Sequence, residues 1–358
     1  MKILFASLSR IGDYIQHMLV VQAWAQAHPN ADVHVVVNDL IPVDLVRMNA
    51  QFRHFVLPRF EYQKKINQVN APIMHPFWSL RKLVKQLRSE KYDQIIDLSL
   101  QGQSLAFLKL VESGFSYSET EKKMINEYLN PLESVHLIDK LKAVHGLELT
   151  PKESLNRGTR RLLFQITTSD SKKDIDLPRW KNLIDRIRAD YPSIDLAVIG
   201  SRSEAKHLQQ VFQKSEIFVC NFTELSHALD SETKLISLDT STKHFAALFQ
   251  IPTAEISVGS SHWIKNAAYQ EGNFIFSADM ECRPCMHSVA CPYGRNQCQD
   301  RINFNELNQF VGEWIEKSQL TSFPMVTRIS DGNLGILRLH AQQGEKWNQR
   351  VNQTNLSL

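Results

Sequence analysis

The chain reads as an α/β protein made of two similar halves, each with a mostly parallel sheet. Three observations predict this. At 358 residues it is longer than one ordinary core covers. Short apolar runs alternate with amphipathic helical stretches twice, from Lys2 to Ser104 and again from Leu162 to Ser257. Between the two series, around Leu147–Arg160, the pattern lapses into Thr150-Pro151-Lys152-Glu153-Ser154 and Asn156-Arg157-Gly158, a polar Pro/Gly-bearing stretch of the kind that separates domains. The expected division is 1–155, 156–320 and a polar tail, 321–358, packing back on the first domain.

The first half opens with Lys2-Ile3-Leu4-Phe5-Ala6-Ser7, which reads as a buried parallel strand. Ile11, Tyr14, Ile15, Met18, Val21 and Ala25 then share a helical face, which His28-Pro29-Asn30 ends. Val33–Val37 is a second strand and completes a βαβ unit. A helix near Leu80–Leu87, a strand Gln94–Asp97 and a helix from Ser104 follow. The second half gives strand Leu162–Thr167, helix Arg179–Ala189, strand Asp195–Ile199 ending at Gly200, and a helix from Ser203. Strand Lys234–Leu238, helix Ser241–Phe249 and strand Thr253–Ser257 complete it.

Composition narrows the function classes. Hydrophobic residues make up 43% and charged residues 22%, an ordinary globular mixture that excludes a disordered chain. The 41 basic and 38 acidic residues leave +3, too little to hold nucleic acid by bulk charge. Ile3–Ala6 is too short for a signal-peptide core, and no apolar run approaches the roughly 20 residues of a membrane span. The expectation is a cytoplasmic protein with at most peripheral contact at the inner face of a membrane.

In open α/β sheets ligands bind beyond the carboxyl ends of the strands, so the chemistry is sought in the turns that follow them, along a cleft shared by the two sheets. Ser7-Leu8-Ser9-Arg10-Ile11-Gly12-Asp13 is the first such turn. Gly12 permits close backbone approach, and Asp13 lies in the first helical turn, where the dipole favours negative charge. It is a candidate general base, or simply a helix-start residue. The second turn, Thr167-Thr168-Ser169-Asp170-Ser171-Lys172-Lys173, offers hydroxyls and lysines for phosphate oxygens, or is a solvated polar loop. The third, Asp239-Thr240-Ser241-Thr242-Lys243-His244, either caps the next helix or leaves its amides for an anion. No G-x-G-x-x-G fingerprint is present.

Four of the five cysteines are clustered as Cys282-x2-Cys285-x5-Cys291-x6-Cys298, in a loop bent by Pro284 and Pro292. Such spacing wraps one tetrahedral metal, zinc or iron, with no open position, which makes the site structural. Two disulfides, or an iron–sulfur cluster, compete with that reading. Cys220 stands apart as a buried small residue.

In order and position, these motifs resemble the heptosyltransferase family of lipopolysaccharide assembly, glycosyltransferases with two facing Rossmann-like domains (the GT-B architecture, family 9). The resemblance runs from Met1 to about Lys317. Arg10-Ile11-Gly12-Asp13 matches the family's N-terminal turn and implies Asp13 as catalytic base, with Ser9, Arg10, Gly12 and Ser104 on the acceptor side. Thr167, Thr168 and Lys172 match its paired threonines and phosphate-binding lysine. Asp239, Thr240, Ser241, Lys243 and His244 occupy its diphosphate-receiving segment, and Glu204 is placed to accept from ribose hydroxyls. The Cys-x-Pro-Cys loop resembles loops in many members; in some protein-modifying relatives such cysteines hold iron.

Ser241 departs from the usual glycine and Lys243 from a small residue, which alters how the diphosphate is held. Gln103 takes a position that is often basic, which bears on a phosphorylated lipid-core acceptor. The resemblance implies inverting transfer of a heptose-like sugar from a nucleotide-diphosphate donor to a lipopolysaccharide-core, other lipid-linked, glycan or protein hydroxyl, with no catalytic metal and no nucleic-acid partner. A nucleotide-sugar epimerase of the same architecture and a non-catalytic binding protein are the alternatives. A zinc-ribbon nucleic-acid binder fits poorly, because the cysteine pairs lie too close together.

Overall fold

The computed structural model describes residues 1–58, 74–100, 102–111, 138–139, 141–142, 146–147, 160–260, 263–269, 273–277, 280, 282–283, 285, 291–294, 296–316 and 326–328. The chain divides into two units, Met1–Glu133 with Leu137–Thr150, and Ser134–His136 with Pro151–Leu358.

In the first unit, Lys2–Ser7 (β1) is buried from Ile3 onward and pairs in parallel on both sides, as its unbroken apolar run requires. Ile11–Ala27 (α1) follows and stops at His28, whose imidazole stacks on Trp24 at 4.1 Å, just before Pro29 forbids continuation. Asp32–Asn38 (β2), Val43–Arg47 (α2), Arg53–Leu57 (β3), Met74–Glu90 (α3), Gln94–Asp97 (β4) and Gly102–Val111 (α4) complete the described elements. The sheet runs β3-β2-β1-β4, all parallel, with Ile3 opposite both Val33 and Gln94. One face packs Leu4, Ala6, Val36 and Phe55 against Leu83 and Leu87 of α3 and Phe107 of α4. On β1, Phe5 meets Trp24 of α1 edge to face at 5.5 Å. Each fully buried side chain of this size is worth about 1.5–3 kcal/mol.

The second unit holds Arg161–Gln165 (β5), Leu177–Asp190 (α5), Asp195–Gly200 (β6), Ala205–Leu208 (α6), Ile217–Val219 (β7) and Phe222–Ala228 (α7). Thr233–Leu238 (β8), Ser241–Leu248 (α8), Thr253–Ser257 (β9), Trp263–Asn266 (α9), Phe274–Ser277 (β10), Phe304–Glu316 (α10) and Val326–Arg328 (β11) follow. The sheet order is β11-β10-β9-β8-β5-β6-β7. Counted from β5, the parallel strands read 3-2-1-4-5-6, the doubly wound dinucleotide-fold order, and the first sheet repeats its 3-2-1-4 portion. Trp180 of α5 is fully buried, and Phe310 of α10 packs on Phe274 and Phe276 at 5.1 and 4.9 Å.

Of the tail, the described strand β11 pairs antiparallel with β10 of the second sheet. No described helix is long and apolar enough to cross a membrane.

Candidate active site

Both sheets reverse their winding beside their first strand, between β1 and β4 and between β5 and β8. Connections leave in opposite directions there and open a crevice at the carboxyl ends. The residues singled out in the sequence lie at these edges or in the helices that follow them.

In the first unit, the Asp13 carboxylate accepts from the Arg10 N–H at 3.2 Å, closing the first turn of α1. Asp13 is half-buried and Arg10 exposed. Ser9 is buried and its carbonyl accepts from the Asn38 amide at the end of β2. Ser104, expected on the acceptor side, gives its hydroxyl to Asp97 at 2.5 Å.

Asp97 carries no role in the sequence reading, although it ends strand β4. Its carboxylate also accepts from the Ser99 N–H at 2.9 Å, and burial pushes it up to about 6. The Ser99 hydroxyl in turn accepts from the Leu8 N–H at 2.6 Å and donates to the Ala6 carbonyl at 3.2 Å. The β4 edge therefore fixes the turn that leads to Asp13. Beside it, Ser7 Oγ lies 2.8 Å from Nδ1 of the buried His17.

In the second unit, a row of hydrogen bonds crosses the edge. Thr167 donates to Glu204 at 2.5 Å, and Glu204 also accepts from the Ser201 N–H at 2.8 Å. Gln165 donates to the Thr167 carbonyl at 2.7 Å and accepts from the Thr240 hydroxyl at 3.0 Å. Thr240, the residue before α8, thus spends its hydroxyl on Gln165 and does not cap the helix with it. Thr168 turns back on its own loop, accepting from the Asp170 N–H at 3.1 Å, and its N–H donates to Asp174 at 2.9 Å. Thr168, Thr240 and Ser241 remain half-exposed at the edge, while His244 is buried.

Beneath this row lies a charge network. Lys243, read in the sequence as a donor contact, is fully buried, its ammonium 2.6 Å from Asp239 and 2.8 Å from Glu255 of β9. Lys173, not Lys172, reaches the other oxygen of Asp239 at 2.7 Å. Burial alone would raise Asp239, but the Lys243 and Lys173 ammoniums hold its carboxyl well below the usual range. Burial likewise opposes the charge on Lys243, and Asp239 and Glu255 outweigh it, so the ammonium is held above its ordinary value. The β8–α8 turn, the first turn of α8, the middle of β9 and the 3-10 turn after β5 carry Asp239, Lys243, Glu255 and Lys173 to one dry point, where mutual pairing keeps them ionised.

Lys172 stays half-exposed on a 3-10 turn, Ser171–Lys173, whose Lys172 N–H donates to Asp170 at 3.1 Å. Gly259, after β9, has φ +57° and packs flat on the Lys172 carbonyl, where any Cβ would collide. Ser260 beside it donates to Asp170 at 2.6 Å.

Cys282, Cys285, Cys291 and Cys298 are free thiols, Cys298 buried and the others half-exposed. Burial, then the charge of Cys298, pushes the Cys282 and Cys285 thiols up. Among the described residues no three His, Cys, Asp or Glu side chains gather as metal ligands. What anchors the loop is Arg283, which donates to Ser277 at 2.9 Å and Ser257 at 2.7 Å, at the ends of β10 and β9. Cys220 is half-buried, and burial pushes its thiol up to about 12.

No protein-family model and no curated protein matches the sequence. Solved structures do match its fold. E. coli heptosyltransferase WaaC with ADP is 14% identical, with TM-score 0.62 over 87% of this chain and 99% of that one. A glycosyl transferase family 9 protein from Veillonella parvula is 12% identical, with TM-score 0.65 over 88% and 97%. TibC of enterotoxigenic E. coli, an iron-containing dodecameric glycosyltransferase, is 11% identical, with TM-score 0.51 over 87% and 75%. With its one parallel and one mostly parallel sheet, the chain has the α/β fold of the heptosyltransferases and of family 9 glycosyltransferases.

Proposed function

We propose that the chain is an inverting glycosyltransferase that moves a heptose-like sugar from a nucleoside-diphosphate donor to an acceptor hydroxyl. One observation carries the reading: half-exposed Thr240 and Ser241 begin α8 at the carboxyl edge of a doubly wound sheet, and half-exposed Thr168 and Lys172 stand in the loop after the neighbouring strand β5. Helix amides, hydroxyls and an ammonium there suit a diphosphate. The ADP held by WaaC, and the ADP-D-beta-D-heptose held by TibC in a second structure, support the donor class.

In this reading Asp13 takes the proton of the acceptor hydroxyl as its oxygen bonds to the anomeric carbon. The bond from that carbon to the diphosphate oxygen breaks, and the electron pair leaves with the diphosphate. Lys172 and the first amides of α8 meet the charge that builds on the leaving group. Glu204, already held by Thr167 and Ser201, keeps acceptor capacity for ribose hydroxyls. Lys243 supports Asp239 from below and does not touch the donor. The acceptor is a lipopolysaccharide-core, glycan or protein hydroxyl.

Asp13→Ala tests this. Release of nucleoside diphosphate in the presence of acceptor is expected to fall about 10²–10⁴-fold, with donor affinity kept; near-normal turnover would sink the assignment. The cysteine spacing, with the iron of TibC, also supports a structural zinc or iron in the 282–298 loop. Elemental analysis is expected to return about one metal per chain, and metal-free protein with four alkylatable loop thiols would remove that part.

A further inference from the structure

Helix α3 buries one face and leaves the other exposed. Leu83 and Leu87 are buried against the sheet, with Leu80 and Val84 packed beside them. Trp78, Arg81, Lys82, Lys85 and Arg88 are exposed. Their spacing of three, four, seven and ten residues from Trp78 sets them on one stripe, roughly 15 Å long at 1.5 Å per residue. Trp78 keeps 56% of its surface exposed although the Arg81 guanidinium lies 5.6 Å from its ring.

α4 extends the stripe. Arg88 donates to the Leu110 and Val111 carbonyls at 2.8 and 3.2 Å, which brings the end of α4 alongside. Lys109 is exposed there and Leu110 is 50% exposed. The only acid of α3, Glu90, is turned to Lys2 and Arg53 at 2.8 and 2.7 Å. Among the described residues, no ion pair joins Arg81, Lys82, Lys85, Arg88 or Lys109 to an acid, so the surface sets five cations beside two large apolar side chains, on a protein whose whole charge is only +3.

We infer that this face of α3, with the end of α4, docks on an anionic phospholipid surface. Charge complementarity selects the partner: lysine and arginine stems lie over lipid phosphates while Trp78 and Leu110 enter the headgroup layer. Nucleic acid fits less well, because Leu110 has no ring to stack on a base. The inference stands apart from sugar transfer, since none of these residues belongs to the candidate active site.

The test is co-sedimentation of the full chain with phosphatidylcholine vesicles containing about 30% phosphatidylglycerol, against phosphatidylcholine alone, at low and high salt. Binding is expected only to the anionic vesicles and is expected to weaken in salt. R81Q/K82Q/K85Q is expected to lower partitioning by about 5-fold per charge removed. Trp78→Ser is expected to lower it several-fold, and both variants should melt like wild type because the changed side chains are exposed. No binding to anionic vesicles, equal binding by the triple variant, or capture by an oligonucleotide in place of vesicles would each overturn the inference.

Discussion

Lys243 shows how a residue's chemistry follows from where the fold carries it. In the sequence it stands four residues after Asp239 in a polar turn and reads as a cation offered to a ligand. In the fold it is fully buried between two carboxylates. Lys172 and Lys173 teach the same point: on a 3-10 turn neighbouring side chains diverge by about 120°, so one reaches Asp239 while the other stays half-exposed. Lys243→Met takes the ammonium away from Glu255 and leaves Asp239 with Lys173 alone among the lysines. It is expected to cost about 3–5 kcal/mol in urea denaturation, and Lys243→Met/Glu255→Leu should recover much of that loss. A single variant as stable as wild type would show the pair to be dispensable.

Elements differ in how openly the sequence announces them. β1, β4 and β9 have the bounds their apolar runs predict, and α1 ends where His28-Pro29 says it must. β3 and β7 escape because one mixes Arg53 and His54 into an edge strand and the other is a three-residue strand. β10 and α10 lie after the last element read from the pattern. Asp97 escapes for a different reason: a strand-end aspartate looks like an ordinary turn residue until burial is known.

That burial has a consequence for stability across the β4 edge and α1. Asp97 is pushed up to about 6, so between about pH 4 and 6 it is protonated when folded and ionised when unfolded. Its contribution to stability therefore falls as pH rises through that window. Burial lowers His17 to about 3, so between about pH 3 and 6.5 it is neutral when folded and protonated when unfolded, and its contribution rises with pH. Between pH 4 and 6 the two slopes oppose. Relative to wild type, Asp97→Asn is expected to add a slope of about +1.4 kcal/mol per pH unit and His17→Gln about −1.4. Urea titrations at several pH values read both, and parallel profiles for all three proteins would contradict the assignment.

For the whole molecule, the alternation of apolar runs and helical faces made the two α/β halves legible, and three turn motifs located the candidate site on the strand edges. The charge network beneath α8, the Arg283 anchor and the Asp97–Ser99–Leu8 link were not legible, because each joins residues far apart in sequence through contacts that only the folded sheets create. The small net charge accords with a site whose positive groups are few and local. The most direct measurement of the central claim is a thermal-shift series of the full chain with ADP-, GDP-, UDP- and CDP-linked sugars. A ligand at about 100 times its Kd stabilises the folded chain by about 2.7 kcal/mol, so one nucleotide-sugar class is expected to raise the melting temperature clearly above the others. If none of them moves it, the chain does not bind a nucleotide-sugar donor and the glycosyltransferase reading is wrong.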